Sequence, residues 1–220
     1  MLQAFTSKET VGAVLNMVYL QPEENPAAFA AFASIPTLKD ETKVQTLTQM
    51  MSGQMIPPTP RWDWFATSFT PSSSLYEDIS EMFISATEVE TIKSLQSGTL
   101  ALGVQPIPPS AVAAGHERGG NALGLRNEAQ TWFVLDAGWH KPTDDGTVHN
   151  ATRSLLDTIE EDAQRKAVYV PYIFMNDASW DQEVIGHYGT KSAQRLKKVQ
   201  SEYDPDCVFQ SLVPGGFKLS

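Results

Sequence analysis

The sequence predicts an α+β fold in which an antiparallel sheet carries helices on one face and a helical arm follows. Long segments with a period of two alternate with segments whose apolar residues recur at helical spacing. Polar residues such as Arg61, Gln105 and Asp136 interrupt the strand-like segments. The strands of a doubly wound parallel sheet are buried on both faces and form continuous apolar runs, so the interruptions favour an antiparallel sheet.

Five segments combine alternation with β-branched or aromatic residues, and helical segments lie between them. The predicted strands are Val11–Leu20, Arg61–Thr70, Thr99–Ile107, Thr131–His140 and Val168–Met175. The predicted helices are Pro26–Ala33, a helix capped by Ser72–Ser74 that runs to about Ser94, Thr143–Ala167 and Lys191–Glu202. Clustered prolines predict breaks at Gln54–Pro60 and Pro106–Ser110, because proline fixes φ.

The C-terminal residues differ in composition from the rest of the chain. A helix rich in Lys, Arg and Gln ends at Tyr203–Asp206, and the glycine-containing stretch Val213–Phe217 follows it. We therefore predict a sheet domain over residues 1–167 and a C-terminal segment over residues 168–220.

Charge and cysteine content restrict the class of protein. The 220 residues include 26 Asp and Glu against 16 Lys and Arg, a formal net charge of -10. An acidic surface repels nucleic-acid phosphates and anionic lipids, so we expect neither nucleic acid nor membrane as a partner. Cys207 is the only cysteine, which leaves no internal disulfide. The first residues lack the pattern of a signal peptide, and we expect a cytoplasmic location.

Short motifs spread over the chain form a recognisable set. Near the C-terminal end they are Tyr188-Gly189, Arg195-Leu196, Tyr203-Asp204-Pro205, Val208-Phe209 and Val213–Lys218. Earlier in the chain they are Val18–Leu20, Glu24–Pro26, Gln105–Pro108 and Gly119–Leu125. Together they resemble the berberine-bridge-type oxidoreductases, flavoproteins of the vanillyl-alcohol-oxidase class, and in particular the fungal members. The resemblance covers essentially the whole chain.

The resemblance implies a domain order in which a large FAD-binding domain precedes a substrate-binding domain. Met1 would fall near the start of the substrate domain, so we expect this chain to lack the flavin-binding part. The run Gly119–Leu125 does not follow a strand into a helix with a ribose-binding acid about twenty residues later, and we interpret its glycines as turn residues. The expected cofactor is therefore none, or FAD if a partner chain supplies the missing domain.

A second departure from the family lies at the strand that faces the flavin. The family has Tyr-x-Asn-Tyr there, and this chain has Phe174, Met175, Asn176 and Asp177. Asn176 matches the pattern, but both tyrosine hydroxyls are absent. The resemblance therefore implies the family's site without two of its usual groups.

The resemblance also implies that substrate binds on the sheet face that helices leave uncovered. Alternation puts Asp136 and His140 on one face of their strand, and a histidine with a carboxylate can perform acid–base chemistry. Alternatively, Asp136 pairs with a nearby cation and His140 merely ends a strand. The candidate catalytic residues are His140, Asp136 and Asp177. The candidate substrate-binding residues are Asp63, Gln105, Asn121, Phe174 and Asn176. The four histidines lack ligand spacing, so we expect no metal site.

Three functions are consistent with these observations. The first is a flavin-free protein that binds a small polycyclic secondary metabolite and catalyses a redox-neutral cyclisation, cycloaddition or isomerisation. The second is the substrate-binding half of a split or truncated FAD-linked oxidoreductase, and the third is a non-catalytic small-molecule binder. In each case an apolar face without its partner domain predicts a homo-oligomer.

Overall fold

A computed structural model describes residues 1–7, 10–52 and 59–219 of the chain. It contains a six-stranded sheet in which each pair of neighbouring strands is antiparallel. The strands are β1 (Leu2–Ser7), β2 (Val11–Leu15), β3 (Arg61–Phe69), β4 (Thr99–Ile107), β5 (Gln130–Trp139) and β6 (Tyr169–Val170). Their spatial order is β2-β1-β4-β5-β3-β6.

Seven α-helices lie in the described part of the chain. They are α1 (Leu47–Ser52), α2 (Ser73–Ser85), α3 (Thr87–Ser94), α4 (Pro109–Glu117), α5 (Asp145–Arg165), α6 (Thr190–Tyr203) and α7 (Val208–Ser211). Helices α2, α3 and α5 bury their apolar stripes against one face of the sheet. The predicted α+β class, with an antiparallel sheet and helices packed on it, is confirmed.

Strict alternation along the long strands divides the sheet into two faces. Phe65 and Phe69 of β3 and Phe133 and Leu135 of β5 point toward the helices, where they form the main core. We call this side the helix-covered face. The intervening residues form the second face. From β3, β4 and β5 they include Trp64, Ala66, Ala101, Gly103, Gln105, Trp132, Val134 and Asp136.

The residues after β6 cover part of the second face. Tyr172, Ile173, Val184 and Tyr188 pack there against Trp132 and Ala66 in a second apolar cluster. Strand β6 pairs with β3, so the start of the C-terminal segment belongs to the same sheet as the preceding domain. The division at residue 167 stays a prediction.

The N-terminal strands differ from the prediction. Strand β1 was not predicted, and β2 ends at Leu15 rather than at Leu20. Asn16 makes one further backbone pair with β1: its N–H donates to the Met1 carbonyl, the Met1 amino group donates to its carbonyl, and its side-chain amide donates to Gln3. The chain leaves the sheet after this pair. The predicted helix Pro26–Ala33 is a 3-10 helix over Ala27–Phe32.

Local chemistry explains three other differences. The helix predicted from Ser72 to Ser94 is two helices, because Ala86 between them has an extended conformation. Helix α4 was not predicted, since the prolines that indicated a break place Pro109 in the helix's first turn, where it is tolerated. The last predicted strand stops at Val170, because Pro171 has no N–H for the ladder. The predicted break at Gln54–Pro60 lies largely outside the described residues.

The remaining elements agree with the sequence. Ser72 caps α2 by accepting a hydrogen bond from the Leu75 N–H, as the run of serines predicts. Strand β4 spans Thr99–Ile107 as predicted, and α5 and α6 lie within two residues of the predicted helices. Trp139 is a core residue, as expected, and its ring N–H donates to Asp145.

Candidate functional site

Asp136 lies on the second face, in the middle of β5. Its Cα is paired with that of Trp64 on β3 and with that of Ala101 on β4. The residues before and after it, Leu135 and Ala137, are fully buried under the helices. Alternation thus directs the carboxyl group away from the core, to a position that is half-buried beside an aromatic ring.

A second carboxylate, that of Asp177, acts on Asp136. Burial raises the pKa of Asp136 to about 6, and the negative charge of Asp177 contributes to the rise. Burial also raises the pKa of Asp177, which ends a short 3-10 turn, Met175–Asp177. A carboxyl whose pKa is raised by burial and by a neighbouring carboxylate can hold and release a proton near neutral pH.

A row of stacked aromatic rings lies beside this pair. The Phe174 ring stacks on Trp132 with 4.2 Å between centroids, and Trp132 stacks on Tyr172 at 5.5 Å. Tyr188 continues the row at 5.5 Å from Tyr172. The Trp132 ring N–H is buried without a hydrogen-bond partner among the described residues. These rings form a flat apolar surface suited to a planar ligand.

Two tyrosines, Tyr172 and Tyr188, belong to this row of rings. Tyr172 and Tyr188 are buried, and neither hydroxyl has a hydrogen-bond partner among the described residues. Burial, together with the neighbouring Tyr188, raises the pKa of Tyr172. Both groups therefore stay protonated and act as hydrogen-bonding hydroxyls rather than phenolates.

The structure brings together several of the predicted site residues. Gln105 lies on the second face with its Cα paired to that of Trp132. Phe174, Asn176 and Asp177 follow β6 on the segment that crosses this face, and Asn176 is exposed there. With Asp136, these residues form a group around the aromatic row. We call it the carboxylate-pair site.

The other predicted residues lie apart from this group. Asp63 is buried on the helix-covered face, where its carboxylate contacts His149. Asn121 is exposed in the loop before β5, and its side chain accepts a hydrogen bond from the Leu123 N–H. His140 is exposed, one residue beyond the end of β5. The shared face predicted for His140 and Asp136 therefore does not bring these two side chains together.

Sequence reasoning missed a cluster around His149 on α5. Its ring lies between Asp63 of β3 and Asp181 of the C-terminal segment. His149 follows Val148 of the predicted apolar stripe. No spacing rule links it to Asp63, 86 residues earlier.

Two cavities lie outside the carboxylate-pair site. One of about 190 Å³ is between α5 and the C-terminal segment, lined by Arg153, Glu160, Tyr169 and His187 among others. A smaller one of about 90 Å³ borders the loop before β5. Neither includes Asp136 or Asp177. Next to Asp136, Trp64 is 38% exposed and faces outward.

Metal ligation and membrane insertion find no support in the described residues. Among them, no three His, Cys, Asp or Glu side chains gather in a way that could hold a metal ion. Within the same ranges, no helix combines the length and the apolar character that a membrane crossing requires.

No protein-family model matches the chain. Over 207 residues, 94% of its length, the chain is 33% identical to the bifunctional solanapyrone synthase of Alternaria solani. Over 213 residues, 96% of its length, it is 32% identical to an FAD-dependent monooxygenase of Arthrobotrys oligospora. The chain is homologous to fungal FAD-dependent monooxygenases. The predicted resemblance to FAD-linked oxidoreductases is confirmed at this level.

The homologous monooxygenases are considerably longer than this chain. The chain spans 40% of the solanapyrone synthase and 42% of the Arthrobotrys oligospora monooxygenase. Its fold is similar to that of 6-hydroxy-D-nicotine oxidase from Arthrobacter nicotinovorans, with a TM-score of 0.58 over 100% of this chain and 47% of that one. The two share 12% identity, so this likeness concerns the fold alone.

Proposed function

We propose that the chain supplies the substrate-binding part of an FAD-dependent oxidoreductase that acts on a small polycyclic metabolite. The carboxylate-pair site would form the wall against which the substrate lies. The observation that carries this proposal is the half-buried Asp136, whose pKa is raised to about 6. It lies beside Asp177 on an aromatic surface of a chain homologous to FAD-dependent monooxygenases.

The flavin itself would be held by another part of the protein. A dinucleotide site uses glycines so that the main chain can approach the pyrophosphate closely. A dinucleotide turn leads from a strand into a helix N-terminus, whereas Gly119 and Gly120 follow the end of α4 and precede the loop to β5. These glycines serve turns with positive φ, of 98° and 72°. The residues around this loop do not fit a pyrophosphate, and we derive no step through the flavin.

The residues of this chain would bind the substrate and handle a proton. Trp132 and Phe174 offer stacked ring faces to a planar substrate, and the Gln105 amide can orient a carbonyl or hydroxyl group. Asp136 would accept a proton from a substrate hydroxyl or C–H group, because its pKa lies close to neutral pH. The negative charge of Asp177 would contribute to the raised pKa of Asp136 and so to its strength as a base.

The flavin-free cyclase or isomerase that we predicted first has less support. The relatives named above include FAD-dependent monooxygenases, which favours the flavin-dependent alternative. The same carboxylate pair could serve a redox-neutral proton transfer. Turnover by the isolated chain without flavin would therefore identify that reaction.

A chimera tests the proposal. The aligned segment of the Arthrobotrys oligospora monooxygenase would be replaced by this chain, and the product examined for flavin absorbance and turnover. We expect the chimera to retain flavin, and we expect Asp136→Asn to lower turnover by at least about 100-fold, a typical loss for a general base. Asp206→Asn, at an exposed position, is the matched control. A folded chimera that retains no flavin, or full activity in Asp136→Asn, would refute the proposal.

A further inference from the structure

One histidine joins three separate parts of the fold. The His149 Nδ1 atom on α5 lies 2.5 Å from the Asp63 Oδ2 atom on β3. Its Nε2 atom lies 3.1 Å from the Asp181 Oδ2 atom in the C-terminal segment. The imidazole therefore bridges two carboxylates from elements that have no other covalent or sheet connection at this point.

The contacts of Asp63 extend the bridge. The other oxygen of its carboxylate accepts hydrogen bonds from the Ser179 hydroxyl at 3.2 Å and from the Trp64 N–H at 3.0 Å. The Arg153 guanidinium, on the same helix as His149, lies 2.8 Å from the Asp181 carboxylate. Each carboxylate thus has a second donor, which orients it toward the imidazole.

Aromatic rings lie next to the imidazole on two sides. Trp180 stacks on His149 with 5.5 Å between centroids and 26° between planes, and Phe65 lies at 5.0 Å. Trp180 is 79% exposed, so the imidazole supplies much of what holds this ring in place. Because the two rings stack, the surroundings of the Trp180 indole depend on the histidine ring.

The same segment is also bound to the edge of β3 by a side chain. The Gln182 Oε1 atom accepts from the Ala66 N–H at 2.9 Å and from the Ser179 N–H at 3.0 Å. Its Nε2 group donates to the Ala66 carbonyl at 2.8 Å. The amide thus pairs with β3 as a neighbouring strand would, and it fixes the segment immediately beside the histidine.

The residues that make these contacts are close in the chain to those of the carboxylate-pair site. Ser179 comes two residues after Asp177, and Asp63 comes one residue before Trp64, whose Cα is paired with that of Asp136. We infer that His149 is a positioning residue, which clamps residues 178–182 against β3 and thereby holds Asp177 close to Asp136. The catalytic importance of this placement rests on the function proposed above, but the clamp does not.

The charge of the imidazole determines whether both contacts can form. A neutral imidazole has one N–H, whereas the imidazolium has two and can donate to both carboxylates. The charged groups facing it are Asp63 from β3, Asp181 from the C-terminal segment and Arg153 from its own helix. Deprotonation leaves one nitrogen opposite a carboxylate oxygen without a hydrogen. Both contacts are therefore hydrogen bonds only when both ring nitrogens carry a hydrogen.

The Asp181 carboxylate favours its ionised form. Burial acts to raise the pKa of Asp181, but the hydrogen bond from Ser179, the charge of Arg153 and the bond to His149 outweigh it. The net effect lowers the pKa of Asp181.

Amide hydrogen exchange of the whole chain tests the clamp directly. The Ser179 and Ala66 N–H groups both donate to Gln182, so their protection reports the docked segment. We expect His149→Phe, which keeps an aromatic ring, to raise their exchange rates by about tenfold, the effect of one lost charge-assisted hydrogen bond. His116→Asn, at an exposed position on α4, is the control and should change neither rate. Unchanged protection in His149→Phe would overturn the inference.

A second measurement follows the carboxylate pair itself. If His149 holds Asp177 near Asp136, then His149→Phe should lower the pKa of Asp136, read from its carboxyl carbon by NMR. If His149→Phe does not fold, Asp181→Asn removes one of the two contacts and should give the same changes. An unaltered Asp136 titration in a folded variant would refute the positioning role.

Neither measurement uses flavin or substrate. A chimera without activity but with an intact clamp would refute the proposed function and leave this inference standing. An active chimera in which His149→Phe changes neither measurement would support the proposed function and refute this inference.

Discussion

Gly124 and the main chain of Tyr188 approach so closely that no side chain fits between them. A Cβ atom added at Gly124 would lie 1.9 Å from the Tyr188 carbonyl oxygen. Gly124 has a φ of 70°, in the left-handed region that favours glycine. It lies in the loop before β5, whereas Tyr188 belongs to the cluster on the second face. This contact seats the C-terminal segment on the rest of the fold.

Replacing Gly124 should therefore weaken the fold substantially. We expect Gly124→Ala to lower the free energy of unfolding by about 3 kcal/mol, since left-handed strain and a backbone clash add together. Gly120→Ala is the matched control: its φ is 72°, but a Cβ there meets nothing within 4 Å. It should lose only about 1 kcal/mol. Urea unfolding measures both, and equal losses would contradict the importance of the Tyr188 contact.

A second prediction concerns the pH dependence of stability at Asp136. Its pKa rises from the ordinary value of 3.8 to about 6 in the folded protein. The folded state therefore keeps a proton that the unfolded chain releases. The stability from this proton is present below about pH 4 and is lost as the pH rises through about 6. Asp136→Asn, which stays neutral, should not show this loss.

The size of the effect follows from the same pKa change. Relative to the parent, Asp136→Asn should gain about 2 kcal/mol between pH 4 and pH 7.5. Thermal unfolding at the two pH values measures the gain, and Asp206→Asn, at an exposed position, serves as the control. A gain that is the same at both pH values would show that Asp136 titrates normally in the folded protein.

The sequence predicted the sheet domain well, because alternation is a local property that burial enforces. Strand β4 has the predicted bounds, β3 ends one residue earlier than predicted, and β5 begins and ends one residue earlier than predicted. Prediction failed where main-chain chemistry overrides side-chain pattern. Pro171 cannot donate to a ladder, so β6 ends at Val170 although apolar residues follow it.

The carboxylate-pair site was predictable only in part, because its two carboxylates come from distant positions in the chain. The face of Asp136 followed from alternation, and Asp177 came from the resemblance. The placement of Asp63 could not be known in advance, because the spacing of β3 does not tell which of its faces the helices cover. His149 has no motif, and only the fold brings it to Asp63.

A third prediction separates ligand binding from stability at the rim. Asp177 and His140 are not part of the apolar core, so Asp177→Ala and His140→Ala should leave the melting temperature within about 2 °C of the parent. In the chimera described above, Asp177→Ala should weaken ligand binding or turnover, and more strongly than His140→Ala, which lies beyond the strand end. If both variants bind and react as the parent does, the proposed site is wrong.

A fourth prediction concerns the cofactor. We expect the isolated chain to be colourless and to bind FAD no more tightly than about millimolar, a standard free energy of about -4 kcal/mol. The physical reason is that the Gly119–Gly120 turn follows a helix and does not lead from a strand into one. Visible absorption after gel filtration with added FAD measures this. Stoichiometric retention of flavin would contradict the prediction and would require a dinucleotide site elsewhere in the chain.

The exposed part of the second face leads to the last prediction. Trp64 on β3 is 38% exposed. Phe5 on β1 is 39% exposed, and its Cα is paired with that of Ala101 on β4. Exposed aromatic rings on one sheet face favour association with another surface. We expect the isolated chain to form a homodimer or a larger assembly at tens of micromolar, which sedimentation can detect at about that concentration.

Substitutions decide whether this face is responsible for the association. Trp64→Ser should weaken self-association by about tenfold, because it removes a large ring from the patch. Leu20→Ser is the matched control, since Leu20 is 91% exposed and lies outside the sheet. A partner domain that covers the second face in a longer protein would compete with the same contact, so the chimera should sediment as a monomer. A monomeric parent chain, or equal weakening by both substitutions, would show that the second face does not drive assembly.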